Sequence, residues 1–188
     1  MKTLERGFKA WSERTSLAVR KELDLGVDEA LCPFRLAGHL DIDVLRPQEV
    51  RGITDDVLKS LLEDDPWGWS ATSFTFQNRT TIIFNPRHSA GRRSSDVAHE
   101  LAHELLGHQP ATMIVSLELD HFSMRSFNQK QEDEANCLGW TLLLPREGLL
   151  RAKLKKKSAE EIAKQFGVSE TLVTFRLRMT GIARQVRY

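Results

Sequence analysis

The fold of this 188-residue chain is decided by residues 70–108, SATSFTFQNRTTIIFNPRHSAGRRSSDVAHELAHELLGH. The stretch opens with two runs rich in Thr, Ile and Phe, residues 70–76 and 80–84, with a polar triplet between them. Two such runs joined by a short polar connection are typical of adjacent antiparallel strands. The pattern therefore predicts a β-hairpin.

A polar loop separates this hairpin from an amphipathic helix, which is predicted to begin near serines 94–95 and to end at Gly107. The helix carries the motif HELAH, in which His99 and His103 are four residues apart. Their side chains lie only about 40° apart around the helix axis, so both imidazoles project toward one point, where they could bind zinc. Glu100 lies about 100° from His99 and is better placed to reach a water than to bind the metal. A hairpin followed by such a helix is the arrangement of a zincin.

The third zinc ligand has to come from outside this motif. The extended motif with a third histidine needs glycine at position 106 and histidine at 109, and the chain has Leu106 and Gln109, which excludes that subclass. His108 would lie about 140° off the ligand face of a continued helix, and we interpret it as a polar helix-end residue. A carboxylate from a second helix is the other route.

The next amphipathic helix, predicted over residues 129–144, offers three acids, Glu132, Asp133 and Glu134. Glu132 is the predicted ligand, because Asn136 lies one turn later on the same face and could hydrogen-bond the outer nitrogen of a ligand histidine. Glu134 lies about 200° from Glu132, so the helix cannot aim both at one metal. The alternative is that all three acids form a charged first turn that the helix dipole favours.

These stretches resemble the ImmA/IrrE family of metallo-endopeptidases, cytoplasmic proteins of bacteria and their mobile elements. The matching parts are residues 81–108 and QEDEANCLGWTLLLP, residues 131–145, and the likeness covers most of residues 8–180. Leu144 and the pair at 139–140 depart from the residues usual in the family. The resemblance implies an α+β, zincin-like fold with a small antiparallel or mixed sheet, one zinc ion per chain, and a third ligand from the acidic helix. It also implies a protein substrate, a helix-turn-helix transcriptional repressor of a stress response or mobile element.

The expected reaction is peptide hydrolysis, in which zinc lowers the pKa of a water and Glu100 takes its proton and passes it to the leaving amine. A second donor to the developing oxyanion is harder to find. The one tyrosine, Tyr188, is the last residue, so His121, between the two metal-binding helices, is the candidate.

Residues 1–150 are predicted to form the catalytic domain. Its first part is predicted to contain a helix at 3–24, a short helix from Pro33 to Ala37 ended by Gly38, a strand from Ile42 to Leu45, and a helix at 53–63 capped by Thr54.

Residues 151–188 are predicted to form a basic, helix-turn-helix-like extension packed on the catalytic domain. They hold ten Lys or Arg against three acidic residues, and Ser158 and Glu161 have the spacing of a capping box. The positive charge suggests a weak or indirect contact with DNA. Two alternatives stay open: a DNA-binding regulator that uses Arg176 and Arg178 and has a vestigial zinc site, and a toxin–antitoxin or phage-defence component.

The bulk composition is that of an ordinary globular protein, with 40% hydrophobic and 28% charged residues and a formal net charge of +1. The sequence has no apolar run of the roughly 20 residues that cross a bilayer and no signal-peptide pattern at its start. A cytoplasmic protein with no membrane partner is therefore expected. Cys32 and Cys137 are predicted to be free thiols with plain buried side chains.

Overall fold

The computed structural model describes residues 4–76, 79–108 and 128–186, in which helices are combined with a small sheet. The helices are α1 (Phe8–Glu22), α2 (Pro33–His39), α3 (Asp55–Lys59), α4 (Ala90–Leu105), α5 (Gln129–Leu143), α6 (Arg146–Leu154), α7 (Ala159–Phe166), α8 (Glu170–Met179) and α9 (Ile182–Gln185). The strands are β1 (Asp43–Leu45), β2 (Ala71–Phe76) and β3 (Arg79–Phe84). The predicted α+β class is confirmed.

The three strands form a mixed sheet in the order β1-β3-β2. β2 and β3 pair antiparallel, with Ala71 opposite Phe84, which confirms the predicted hairpin. β1 joins the other side of β3 in parallel, with Val44 opposite Ile82. Ile82 and Phe84 are both buried, as expected for alternate residues on the face of a strand that packs against the helices.

Helix α4 begins at Ala90, several residues before the predicted start at serines 94–95. Ser89 caps it, because its Oγ accepts a hydrogen bond from the backbone N–H of Arg92 at 3.4 Å. The loop prediction for these residues is wrong. A first helical turn that is largely exposed needs no apolar face, so the cap sets the start of the helix and the hydrophobic pattern becomes visible only later.

Helix α5 crosses α4 at close range where Gly139 faces the backbone of Ala98. A Cβ at position 139 would lie 3.0 Å from the Ala98 carbonyl oxygen, tighter than nine in ten real Cβ contacts. Glu132, two turns before Gly139, lies beside His103, which follows Ala98, so the two helices run antiparallel. The absent side chain at 139 therefore sets how closely the two helices approach each other.

Helix α1 packs on α5 through buried polar contacts. Ser16 Oγ donates to the carbonyl of Thr141 at 2.9 Å, and Arg20 Nη2 donates to the carbonyl of Leu142 at 3.0 Å. Arg20 Nη1 donates to the carbonyls of Gly26 and Glu29, which ties the loop after α1 to the same point. Burial lowers the pKa of the Arg20 guanidinium to about 10, so the group stays charged at neutral pH.

The C-terminal helices contact residues of the preceding part of the chain. Arg176 of α8 is buried, and its Nη2 donates to the carbonyl of Leu144 at 2.7 Å and to Glu13 Oε1 at 2.8 Å. The rings of Trp140 and Phe175 meet edge to face at 4.8 Å. α8 is thereby joined both to α1 and to the end of α5.

The helix pair predicted at the C-terminus has the expected local structure. Ser158 Oγ accepts from the Glu161 N–H at 3.1 Å, and the Glu161 carboxylate accepts from the Ser158 N–H at 2.7 Å, which confirms the capping box. Gly167 ends α7 with a φ of +67°, and Ser169 caps α8.

Other predictions for the chain were less accurate. Helix α2 continues through Gly38 to His39, because Gly38 keeps an ordinary helical backbone instead of ending the helix. Thr54 caps α3 as predicted, but a π-helical turn at Ser60–Asp64 replaces the rest of that helix. Helices α6 and α9 were not predicted.

The two cysteines differ in their surroundings. Cys137 is buried, and this burial raises the pKa of its thiol, whereas Cys32 is exposed, contrary to the prediction. In the part of the chain that the structure describes, no helix is both long and apolar enough to cross a membrane.

Candidate metal centre

The ends of α4 and α5 bring one carboxylate and two imidazoles together. His99, His103 and Glu132 each present one ligand atom, and the three atoms lie within 4.8 Å of one another. The distances are 3.1 Å between the two Nε2 atoms, 3.3 Å from His99 Nε2 to Glu132 Oε2, and 3.6 Å from His103 Nε2 to Glu132 Oε1. The three residues singled out from the sequence as ligands are therefore neighbours.

The spacing of these donor atoms fits a small divalent cation. A tetrahedral zinc ion with bonds of about 2.0–2.1 Å holds its ligand atoms about 3.3 Å apart. The two Nε2 atoms are 3.1 Å apart, and the two oxygens of Glu132 lie 3.3 Å from one of them and 3.6 Å from the other, so the carboxylate faces both imidazoles at close to that spacing. Two neutral imidazoles and one carboxylate are also a donor set that zinc accepts. The three side chains are 16–29% exposed, so the cluster is partly accessible to solvent.

Within the described residues, the three acids on α5 have different surroundings. Asp133 is buried and accepts a hydrogen bond from Gln129 at 3.1 Å, and Glu134 lies 3.2 Å from His108 Nε2. Glu132 approaches both His99 and His103, at 3.3 and 3.6 Å. Glu132 and Glu134 therefore point to different sides of α5, as the helical periodicity predicts. Glu134 contacts His108 instead of the two proposed ligand histidines.

Glu100 lies outside the cluster and faces the sheet. It is 5% exposed, and its Oε2 accepts a hydrogen bond from Ser73 Oγ at 2.7 Å. Ser73 belongs to β2, so the edge of the hairpin reaches across the helix that carries the histidines. The other carboxylate oxygen, Oε1, makes no hydrogen bond within the described residues.

Ser73 was missed from the sequence. It stands in the middle of a strand otherwise made of Ala, Thr and Phe, where a single serine has no distinctive signal. The one clue is position: a polar residue in the hairpin directly before the HELAH helix. Pairing Ser73 with Glu100 needs the three-dimensional packing of β2 on α4.

Asn136 does not make its expected contact. In the ranges that the structure describes, it forms no hydrogen bond with His99 or His103. The residue that contacts the outer nitrogen of His103 is His108, whose Nδ1 lies 2.9 Å from His103 Nδ1. The cause is backbone geometry: α4 stops at Leu105, and Gly107 turns the chain with a φ of +63°, so the 140° offset of a continued helix does not apply.

His121, the candidate donor to the oxyanion, lies outside the described residues. The two arginines considered for reading DNA are placed differently from each other. Arg176 is buried against Leu144 and Glu13, whereas Arg178 is exposed. Arg176 therefore cannot reach a base without leaving its site.

The elements that build this cluster also match a known protein family. A family model described as Peptidase_M78, the IrrE N-terminal-like domain, matches residues 62–178, which is more than half of the chain. The chain belongs to this family, and the resemblance to ImmA/IrrE proteins is confirmed. No curated protein and no solved structure is significantly similar to it.

Membership in a peptidase family supports metallopeptidase function and a protein substrate. It also agrees with a metal at the cluster of His99, His103 and Glu132. The matched region runs from β2 and β3 through both helices of the cluster to α8.

Proposed function

We propose that this protein is a zinc-dependent endopeptidase whose metal is bound by His99, His103 and Glu132, with Glu100 as the general base. The observation that carries the proposal is the convergence of three donor groups from two helices: one ligand atom from each lies within 4.8 Å of the others, and the two Nε2 atoms are 3.1 Å apart, close to the edge of a zinc tetrahedron, about 3.3 Å. A charged first turn by itself does not require Glu132 to lie within 3.6 Å of two imidazoles on another helix.

When bound, zinc would act as a Lewis acid that lowers the pKa of a water and polarises the scissile carbonyl. The chain supplies the proton transfers. Ser73 donates to Glu100 Oε2 and so fixes the plane of the carboxylate. Oε1 is left to take a proton from the attacking water and to pass it to the leaving amine. His121 is the proposed donor to the developing oxyanion.

The proposed substrate is a helix-turn-helix repressor, cut in the cytoplasm to relieve repression in a stress response or mobile element. This part of the proposal is supported by the family alone. A DNA-binding regulator with a vestigial zinc site is less well supported, because one of its two candidate base-reading residues, Arg176, is bonded to Leu144 and Glu13.

We further propose that residues 151–188 serve as an extension packed on the catalytic domain formed by residues 1–150. The bonds of Arg176 and the edge-to-face contact of Trp140 with Phe175 support this role. Any contact of the basic extension with DNA is then weak or indirect.

The metal assignment is tested by zinc affinity, measured in competition with a chromophoric chelator. Glu132→Ala is expected to bind zinc at least 10–100-fold more weakly, since one of three protein ligands is lost. Glu147→Ala is a matched control, because Glu147 also stands in the first turn of a helix and is exposed beside Arg151. Wild-type affinity in Glu132→Ala, with the loss seen in Glu134→Ala in its place, would remove Glu132 from the site.

The activity is tested with the repressor encoded beside the gene, incubated with the zinc-loaded protein with and without a chelator. Cleavage that the chelator abolishes is the expected result. Cleavage of an unrelated unfolded protein but not of the repressor would keep the peptidase and change the substrate. No cleavage of either by a zinc-loaded protein would overturn the proposed activity.

A further inference from the structure

The side chains of His108 and Glu134 lie next to the metal cluster, on the side of His103 that faces away from His99 and Glu132. The Nε2 atom of His103 faces His99 and Glu132, so its Nδ1 points to the opposite side of the ring, where it lies 2.9 Å from His108 Nδ1. The other nitrogen of His108, Nε2, lies 3.2 Å from Glu134 Oε2. His103, His108 and Glu134 thus form a chain that leads away from the cluster.

The distribution of protons along this chain follows from the geometry. A His103 ring that offers the Nε2 lone pair to a metal must carry its proton on Nδ1. That N–H can donate only to an unprotonated His108 Nδ1, and a neutral His108 then carries its proton on Nε2. The His108 N–H in turn donates to the Glu134 carboxylate. With both rings neutral and a carboxylate at Glu134, only this assignment satisfies both contacts, and it is the one in which His103 is a competent ligand.

The pair is well shielded from water. The side chains of His108 and Glu134 are 8% and 13% exposed. Competition from solvent for these hydrogen bonds is therefore small. Lys130 Nζ lies 3.9 Å from the other oxygen of Glu134, Oε1.

Two separate elements build the pair. Gly107, with its left-handed φ of +63°, turns the chain after α4 so that His108 folds back on His103, and the His108 N–H donates to the His103 carbonyl at 3.0 Å. Glu134 comes from α5. The pair therefore joins the two helices that carry the proposed ligands.

We propose that His108 and Glu134 are positioning residues for the metal ligand His103. They hold its ring in place and keep its proton on Nδ1, so that Nε2 is available to the metal. This inference rests on the proposed function, since it requires His103 to be a ligand. Groups that hydrogen-bond a ligand histidine in this way typically change metal affinity 10–100-fold.

The test is the zinc affinity of His108→Leu and His108→Asn, again by chelator competition, with folding checked by circular dichroism. His108→Leu removes the acceptor and is expected to weaken zinc binding about 10–100-fold. The Asn Oδ1 can occupy the place of His108 Nδ1 and accept from His103, so His108→Asn is expected to restore most of the affinity. The visible absorption spectrum of bound Co²⁺ should be the same in His108→Asn and the wild type.

Substitutions of Glu134 test the proposal independently, and they allow a double-mutant cycle with His108. Glu134→Met is expected to weaken zinc binding, and Glu134→Gln, whose amide oxygen still accepts from His108, to weaken it less. If the two residues act through one chain, Glu134→Met should add little in a His108→Leu background. His39 and Glu22 form a matched exposed pair at 3.3 Å, and His39→Leu and Glu22→Met should leave the affinity unchanged.

The outcomes separate the two proposals. Wild-type affinity in both His108→Leu and Glu134→Met would overturn the positioning role. Complete loss of zinc in His108→Leu and His108→Asn alike, with an altered Co²⁺ spectrum, would also overturn it and make His108 itself a ligand. Failure of the wild type to bind zinc, or undiminished binding in His103→Ala, would instead remove the proposed metal site.

Discussion

The crossing of α4 and α5 at Gly139 provides a direct test of how the metal centre is built. In Gly139→Ala, the new Cβ would lie 3.0 Å from the Ala98 carbonyl oxygen, 3.2 Å from its carbonyl carbon and 3.3 Å from the Cα of His99. All three are backbone atoms, which cannot rotate away as a flexible side chain can. The helices must therefore separate by a few tenths of an ångström.

That separation has two expected consequences. Overpacking of a tight contact costs about 1–3 kcal/mol of folding free energy. For a chain of this size, such a loss of folding free energy corresponds to a fall in Tm of about 2–12 °C. The distances from Glu132 to His99 and His103, 3.3 and 3.6 Å, cross the two helices and should widen, whereas the 3.1 Å between the histidines stays within α4. Zinc affinity should fall along with stability.

The assay is thermal unfolding of the metal-free protein, followed by zinc affinity from chelator competition. Gly38→Ala is the matched control, because Gly38 lies inside α2 without a left-handed φ, and a Cβ added there would meet no atom within 4 Å. It should stabilise the protein by about 0.5–1 kcal/mol, as Gly→Ala does in a helix. A Gly139→Ala protein with wild-type Tm and zinc affinity would refute the view that this contact sets the geometry of the site.

Three further changes test other parts of the site and the fold. Glu100→Gln should keep its zinc, measured by mass spectrometry of the metal content, but lose cleavage; retained turnover would exclude Glu100 as the base. Ser73→Ala should leave zinc affinity unchanged and lower kcat about 10-fold or more, as for loss of a hydrogen bond to a charged group, because the carboxylate is no longer held; an unchanged kcat would mean that Ser73 has no positioning role. Arg176→Met should destabilise the protein by about 1–3 kcal/mol in chemical denaturation, since it leaves the buried carbonyl of Leu144 without its partner and removes one of the hydrogen bonds of the Glu13 carboxylate. The exposed Arg178→Ala should stay within about 0.5 kcal/mol of the wild type, and equal effects of the two would argue against the packing of α8.

The local elements of the site were predictable because each depends on neighbours in sequence. The hairpin follows from two β-rich runs, and the convergence of His99 and His103 follows from a spacing of four on a helix. The capping box of Ser158 needs only a residue three positions later. The start of α4 was misplaced because a cap and an exposed first turn carry little hydrophobic signal.

The sequence by itself determined which residues could share a helix face, including the histidine pair and the separation of Glu132 from Glu134. Only the tertiary structure decided which residues contact that helix from outside. Ser73 of the hairpin contacts Glu100, and His108 contacts His103 because the chain turns at Gly107. The physical reason is that helical periodicity extends over a few residues along the chain. Contacts between separate elements depend instead on how closely their backbones can pack, which no local pattern specifies.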